Sequence, residues 1–300
     1  MEASALKAHY PFQSRWLDLG GLRMHYVDEG AGEPVVFVHG NPSWSFLYRG
    51  LIESLRPAYR CLAFDHIGMG LSDKPDDDRY EYTLERRVAD LETALDRLDL
   101  REGVTLILHD WGGMIGMAAA VRRPERVARI VLMNTAAFLM PPGGLLPWQL
   151  KLARDSRLGA LLVRGFNAFS LGATLTCVTK RPMSPEVRRL YTGPYGSWAD
   201  RIATLRFVQD IPLGPGDRAY ALAKATEDGL GRLGAIPKLI AWGERDFVFD
   251  AKFLAEWKRR CPEAEFHTFP DAGHYLPEDE GPAVAALIRD FLAVHPLPRA

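Results

Sequence analysis

Short apolar runs rich in β-branched residues recur along the chain at Leu22–Val27, Val35–His39, Cys61–Phe64, Val104–Leu108, Val127–Met133 and Leu239–Trp242. Several lack the apolar/polar alternation of a strand with one wet face, which predicts strands covered on both sides. Between the runs lie stretches of helical period. Tyr82–Leu98 puts Val88, Leu91, Leu95 and Leu98 on one stripe, with Thr83 placed to cap the N-terminus. Strands alternating with helices predict an α/β domain on a mostly parallel, doubly wound sheet.

The alternation stops between about Thr135 and Arg232. There Pro141, Pro142, Pro147, Pro182, Pro185 and Pro194 punctuate short helical pieces, and no strand-like run is found. Strand and helix resume from Ile236, so this stretch reads as a helical cap inserted into one sheet. The expected organisation is a first core part at 1–134, a cap at 135–232 and a second core part at 233–300. Ligands of open α/β sheets sit at the carboxyl ends of the strands, and a cap over that edge makes an enclosed, water-poor pocket.

The 37 Lys and Arg balance 38 Asp and Glu for a formal charge of −1, which leaves no single-sign field to attract nucleic acid. A hydrophobic share of 47% is ample for a full core and excludes intrinsic disorder. Cys61, Cys177 and Cys261 are far apart and lack Cys or His neighbours at metal spacing, so neither a disulfide framework nor a zinc site is expected. That usage fits a cytoplasmic location. Met1–Leu17 contains Glu2, Lys7, His9 and Arg15 and does not read as a signal peptide. The uncharged run Ile130–Leu150 is broken by Pro141-Pro142-Gly143-Gly144 and Pro147, so it does not read as a membrane span.

The sharpest local signal is Leu106-Ile107-Leu108-His109-Asp110-Trp111-Gly112-Gly113-Met114-Ile115-Gly116, an apolar strand entering a tight turn and a small-residue helix. It has the form of the nucleophile elbow G-x-S-x-G, with Asp110 at the centre and Leu108 in place of the first glycine. A serine needs a base to ionise it, whereas a carboxylate is already an anion at neutral pH. Such a group suits displacement at an sp³ carbon, which forms an ester. The plainer reading is an aspartate capping the next helix. A second strand-turn, Val36-Phe37-Val38-His39-Gly40-Asn41-Pro42-Ser43-Trp44, stands where this kind of fold places an oxyanion loop. The Asn41 amide and the Trp111 indole N–H are then donors for an anionic leaving group.

Asp271-Ala272-Gly273-His274-Tyr275 offers the base as His274, late in the chain on a Gly-preceded loop. His39 and His109 end strands beside the site and are given structural hydrogen-bonding roles. The orienting acid is assigned to Asp246 in Trp242-Gly243-Glu244-Arg245-Asp246, because the alternative place after the preceding strand carries Asn134, which has no charge to offer an imidazolium.

On His39-Gly40-Asn41-Pro42-Ser43-Trp44, Asp65-His66-Ile67-Gly68-Met69-Gly70-Leu71-Ser72-Asp73-Lys74-Pro75 and His109-Asp110-Trp111-Gly112-Gly113, the chain resembles the haloalkane dehalogenases of the α/β-hydrolase fold over nearly its whole length. The resemblance implies nucleophile Asp110, base His274, acid Asp246 and leaving-group donors Asn41 and Trp111. Within that family the chain also looks like the β-lactone decarboxylases of bacterial long-chain olefin biosynthesis, through Asn134-Thr135-Ala136-Ala137-Phe138, Arg164–Ala173 and Arg206–Leu213. Gly165–Thr179 carries no charge, which suits two alkyl chains.

The preferred expectation is a decarboxylase turning a cis-3-alkyl-4-alkyl β-lactone into a cis-alkene and CO₂, with dehalogenation of 1-haloalkanes as the alternative. Neither chemistry calls for a metal or an organic cofactor. Epoxide hydrolysis needs acidic cap tyrosines, for which Tyr191, Tyr195 and Tyr220 are available, but the Asn41 and Trp111 donors argue against it. A non-catalytic binder of hydrophobic ligands is the reading from another class. An apolar substrate further predicts hand-over from upstream pathway enzymes or peripheral association with a membrane.

Overall fold

The computed structural model describes residues 3–297. Met1 and Glu2 of the N-terminal stretch, and the last three residues of the second core part, lie outside the described residues. Eight strands form one sheet: β1 (Arg15–Asp18), β2 (Arg23–Glu29), β3 (Pro34–Val38), β4 (Arg60–Phe64), β5 (Val104–Asp110), β6 (Val127–Thr135), β7 (Lys238–Gly243) and β8 (Glu265–Phe269). Their order is β1-β2-β4-β3-β5-β6-β7-β8. β2 pairs antiparallel with β1 and with β4, and every later pairing is parallel.

Six strands coincide with the apolar runs, to within about two residues at each end. The edge strands β1 and β8 were not among them, for a physical reason. Arg-Trp-Leu-Asp and Glu-Phe-His-Thr-Phe remain largely exposed or half-buried at the sheet edges and carry no continuous apolar signal.

The inner strands bury both faces. On β3, Val36 and Val38 join one core cluster while Val35 and Phe37 join the other. The same alternation divides Ile130 and Leu132 from Val131 and Met133 on β6. Helices Leu84–Arg97, Trp111–Arg122 and Ala251–Arg260 cover the first face, and Arg49–Leu55 with Gly281–Val294 cover the second. Thr83 caps Leu84–Arg97 by accepting a hydrogen bond from the Arg86 N–H at 3.3 Å. The α/β-hydrolase architecture with its mostly parallel, doubly wound sheet is thus built on two hydrophobic layers.

After β6 the chain runs through an irregular segment to a group of cap helices at Trp148–Asp155, Arg157–Phe166, Ala168–Thr176, Pro185–Thr192 and Ile202–Gln209. Ala153, Val163, Leu205 and Val208 give the cap a small core of its own. The stretch read as cap as far as Arg232 is divided in the structure. Helix Tyr220–Gly229 packs against Trp111–Arg122, where Ala219 and Ala223 are buried in the main core. A Cβ on Gly229 would lie 2.3 Å from Val121. The sequence pattern gave only short helical pieces here, and helical period alone does not say which layer a helix joins. The uncharged run Ile130–Leu150 is split between β6, the irregular segment and the start of helix Trp148–Asp155, and no single helix among the described residues is long and apolar enough to cross a membrane.

Candidate active site

The parallel strands deliver their carboxyl ends to one edge. Asn41 follows β3, Asp110 ends β5, Asn134 lies near the end of β6, Asp246 follows β7 and His274 follows β8. Asp110 sits at φ 53°, ψ −130°, a sharp strand-to-helix turn in the region that non-glycine residues avoid. The turn is held by its neighbours. Thr135 Oγ1 donates to the Asp110 carbonyl at 2.5 Å, and a Cβ on Gly40 or Gly112 would lie 1.9 Å from Asp110 Oδ1 or the Val38 carbonyl oxygen, respectively. These glycines are there because the Asp110 turn and the loop after β3 approach too closely for a side chain.

The Asn41 N–H donates to Asp110 Oδ1 at 2.6 Å, and His274 Nε2 stands 3.4 Å from Asp110 Oδ2. On its other side His274 Nδ1 meets Asp246 Oδ2 at 2.7 Å. Asp246 also accepts from the N–H groups of Val248 at 2.7 Å and Phe249 at 3.1 Å, and from Asn134 Nδ2 at 3.0 Å. All three groups are buried. Burial alone would raise the Asp110 carboxyl; the hydrogen bond and positive charge of His274 outweigh it and bring the group below the usual carboxylate range. Burial alone would lower His274. The charge of Asp246, with hydrogen bonds to both carboxylates and the charge of Asp110, pushes it up to about 10.

The arrangement thus favours a charged Asp110–His274 pair, with the Asp246 side chain on the far side of the ring. A neutral base is produced only when one anion is removed. Neutralising Asp110 does this, because its charge is one of those that raise the imidazole.

The expected donors both line a cavity of about 900 Å³ beneath the cap, toward the upper end of the roughly 300–1,000 Å³ found for small-molecule sites. Among its lining residues Asp110 and His274 are the only charged ones, and Phe138, Phe169, Val208 and Phe249 represent the apolar remainder. Asn41 Nδ2 donates to the Thr204 carbonyl of the cap at 3.0 Å, and the Trp111 ring lies 5.6 Å from that of Phe207. Both donors are thus oriented from the cap side by helix Ile202–Gln209.

Other groups were legible only in part. Asn134, set aside as an acid, donates to Asp246 and accepts from the Gly243 N–H at 2.8 Å, so it positions Asp246. A polar residue ending an apolar strand was the available signal. His109 Nε2 bonds the His274 carbonyl oxygen at 2.7 Å. His39 meets the Gly40 carbonyl oxygen at 2.7 Å and accepts from the His66 N–H at 3.1 Å. Burial, and after it the charge of His274, brings His109 down to about 4. The Phe249 ring stacks on His274 at 5.8 Å, a contact no motif announces. The three tyrosines considered for epoxide activation are absent from the cavity lining. Tyr191 donates to Glu278 at 2.5 Å and Tyr195 to the Ser43 carbonyl at 3.4 Å. Cys61, Cys177 and Cys261 are buried free thiols.

The model of the alpha/beta hydrolase fold family matches residues 33–281. A protein of Shewanella oneidensis MR-1 named cis-3-alkyl-4-alkyloxetan-2-one decarboxylase is 51% identical over 94% of this chain and 89% of its own length. Haloalkane dehalogenase 2 of Mycobacterium bovis is 34% identical over 93% of this chain and 94% of its own. The solved structure of the haloalkane dehalogenase DatA from Agrobacterium tumefaciens C58 superposes with a TM-score of 0.85 at 29% identity, covering 95% of this chain and 97% of that one. The chain belongs to the α/β-hydrolase fold family, among its haloalkane-dehalogenase-like members.

Proposed function

We propose that the protein is a cis-3-alkyl-4-alkyloxetan-2-one decarboxylase, a lyase that converts a cis-dialkyl β-lactone into a cis-alkene and CO₂ in olefin biosynthesis, acting in the cytoplasm. The observation that carries this reading is the similarity to a protein of that name, 51% against 34% for the dehalogenase, over nearly the whole chain. The cavity supports it, since it offers two alkyl arms an apolar enclosure and the lactone ring an anion beside two donors.

In this reading an Asp110 oxygen attacks the ring carbon that bears the ester oxygen. That C–O bond breaks with inversion, and the freed carboxylate is received by the Asn41 and Trp111 N–H donors. The product is an alkyl ester of Asp110 with a carboxylate on the adjacent carbon. Fragmentation then breaks the carboxylate's C–C bond to release CO₂. The electron pair forms the alkene, and the ester C–O bond breaks to return Asp110 as a carboxylate beside the His274 imidazolium. Inversion followed by anti-periplanar fragmentation preserves the cis relationship of the alkyl groups. No water enters.

In the dehalogenase reading, favoured by the same donor pair, a halide leaves in the first step. With Asp110 now esterified and neutral, His274 gives up its extra proton to solvent, and the neutral imidazole deprotonates water to hydrolyse the ester. Side-by-side assays with a cis-dialkyl β-lactone and a 1-haloalkane test the proposal. Rapid alkene formation with little halide is expected; fast halide release with the lactone untouched overturns it.

A further inference from the structure

Large apolar side chains are unevenly exposed on this molecule. Among the described residues twelve are prominently exposed, and eight of them fall within residues 135–211, about a quarter of the chain. They include Leu145, Trp148, Leu158, Leu161, Leu171 and Leu175, with Trp148 70% and Leu175 62% exposed. Leu158 and Leu161 lie on helix Arg157–Phe166, and Leu171 and Leu175 on Ala168–Thr176, two helices that meet at 79°. Exposed apolar surface concentrated on one element marks an interaction site. Two observations say what covers it.

The first is charge. Residues 135–211 hold ten Lys and Arg against four Asp and Glu, while the rest of the chain holds 27 against 34. Exposed Arg157 adjoins Leu158, and exposed Arg181 follows the helix that ends at Thr176, beside Lys180, which is ion-paired with Glu280 at 2.6 Å. A second copy docking cap to cap would set these like charges together, whereas an anionic surface is complementary to them. The second is continuity with the cavity. Leu145, Trp148 and Phe247 are exposed and also line it, so the apolar surface runs from the outside into the site.

We propose that this face of the cap docks on an anionic lipid surface, its leucines and Trp148 entering the acyl boundary, its basic groups at the headgroups and the cavity mouth turned toward the lipid. Among the described residues no single helix is long and apolar enough to span, and the two cap helices that together reach that length and composition are bent by 79° at their break, so the contact proposed is superficial. The proposal does not rest on the lactone reading, because vesicle binding is measured without substrate and either can fail alone.

The test is flotation of the full chain with phosphatidylcholine vesicles, with and without phosphatidylglycerol. Binding is expected on the anionic vesicles and weakens as salt rises. Leu171→Glu with Leu175→Glu, neither residue lining the cavity, lowers it by about tenfold or more. Arg157→Glu with Arg181→Glu does the same on anionic vesicles, and this pair decides the matter if the leucine variant fails to fold. The proposal is overturned by absence of flotation, by equal flotation on both vesicle types, or by variants that float like the unmutated chain. A dimer that the leucine substitutions split, without flotation, also overturns it and assigns the face to a second copy.

Discussion

The carboxyl edge of the sheet and the cap that roofs it are built on opposite terms. At the edge, each ionisable group of the site has at least two polar partners: Asp110 has Asn41 and His274, His274 has Asp110 and Asp246, and Asp246 has four donors. The cap presents hydrocarbon to the same cavity and touches the polar machinery at few points, chiefly the Thr204 carbonyl and the Phe207 ring. Buried charge must be satisfied from several directions, which makes the edge intolerant of change. Apolar lining obeys only volume. The chemistry therefore belongs to the edge and the choice of alkyl groups to the cap.

The largest effect is expected from removing charge at the edge. Asp110→Asn keeps the shape of the site and should lower kcat by at least about 10⁴-fold, while a fluorescent apolar ligand still binds. Ligand binding lost together with turnover would show that edge and cap are not separable. Next comes the seam between them. The buried Arg87 guanidinium lies 3.6 Å over the Phe207 ring and 3.4 Å from Asp210, which follows helix Ile202–Gln209. Burial raises Asp210 to about 6 even with Arg87 beside it. Arg87→Leu removes the cation beside that buried carboxyl, leaving it the Leu84 N–H at 2.6 Å, and should cost about 3 kcal/mol in urea unfolding. It should also lower kcat, because the same helix positions Asn41 and Trp111; an unchanged kcat would leave the cap with no part in placing the donors.

A smaller effect isolates the cap. Gly172 lines the cavity, and a Cβ there meets nothing within 4 Å. Gly172→Leu should leave stability intact and shift kcat/KM about tenfold toward shorter alkyl chains, read by competition between substrates of two lengths. The last effect is read as a slope rather than as a single loss. His274 is held near 10 in the folded protein against about 6.5 unfolded. Its contribution is complete below about pH 6.5 and is lost as pH rises through 10. The melting temperature should fall over that window, and His274→Gln should flatten the fall; parallel curves would mean that the imidazole is neutral at rest.

Local chemistry made much of this readable in one dimension. The apolar runs that became β2 to β7 are legible because a strand covered on both faces has no polar register to keep. His109-Asp110-Trp111-Gly112-Gly113 is legible because an elbow this tight needs glycine where backbones nearly touch. The candidate residues could be placed because each ends or follows a strand, and parallel strands carry their carboxyl ends to one edge. Cooperative features were not readable. Edge strands β1 and β8 are polar enough to resemble loops, and helix Tyr220–Gly229 has the same period whether it packs in cap or core. The protonated state of His274 depends on two carboxylates 28 and 164 residues away. Sequence determined which reactive groups exist and at which strand ends they stand. Only tertiary structure decided their charges, their partners and the cavity around them, because burial and Coulomb energy depend on distances in space.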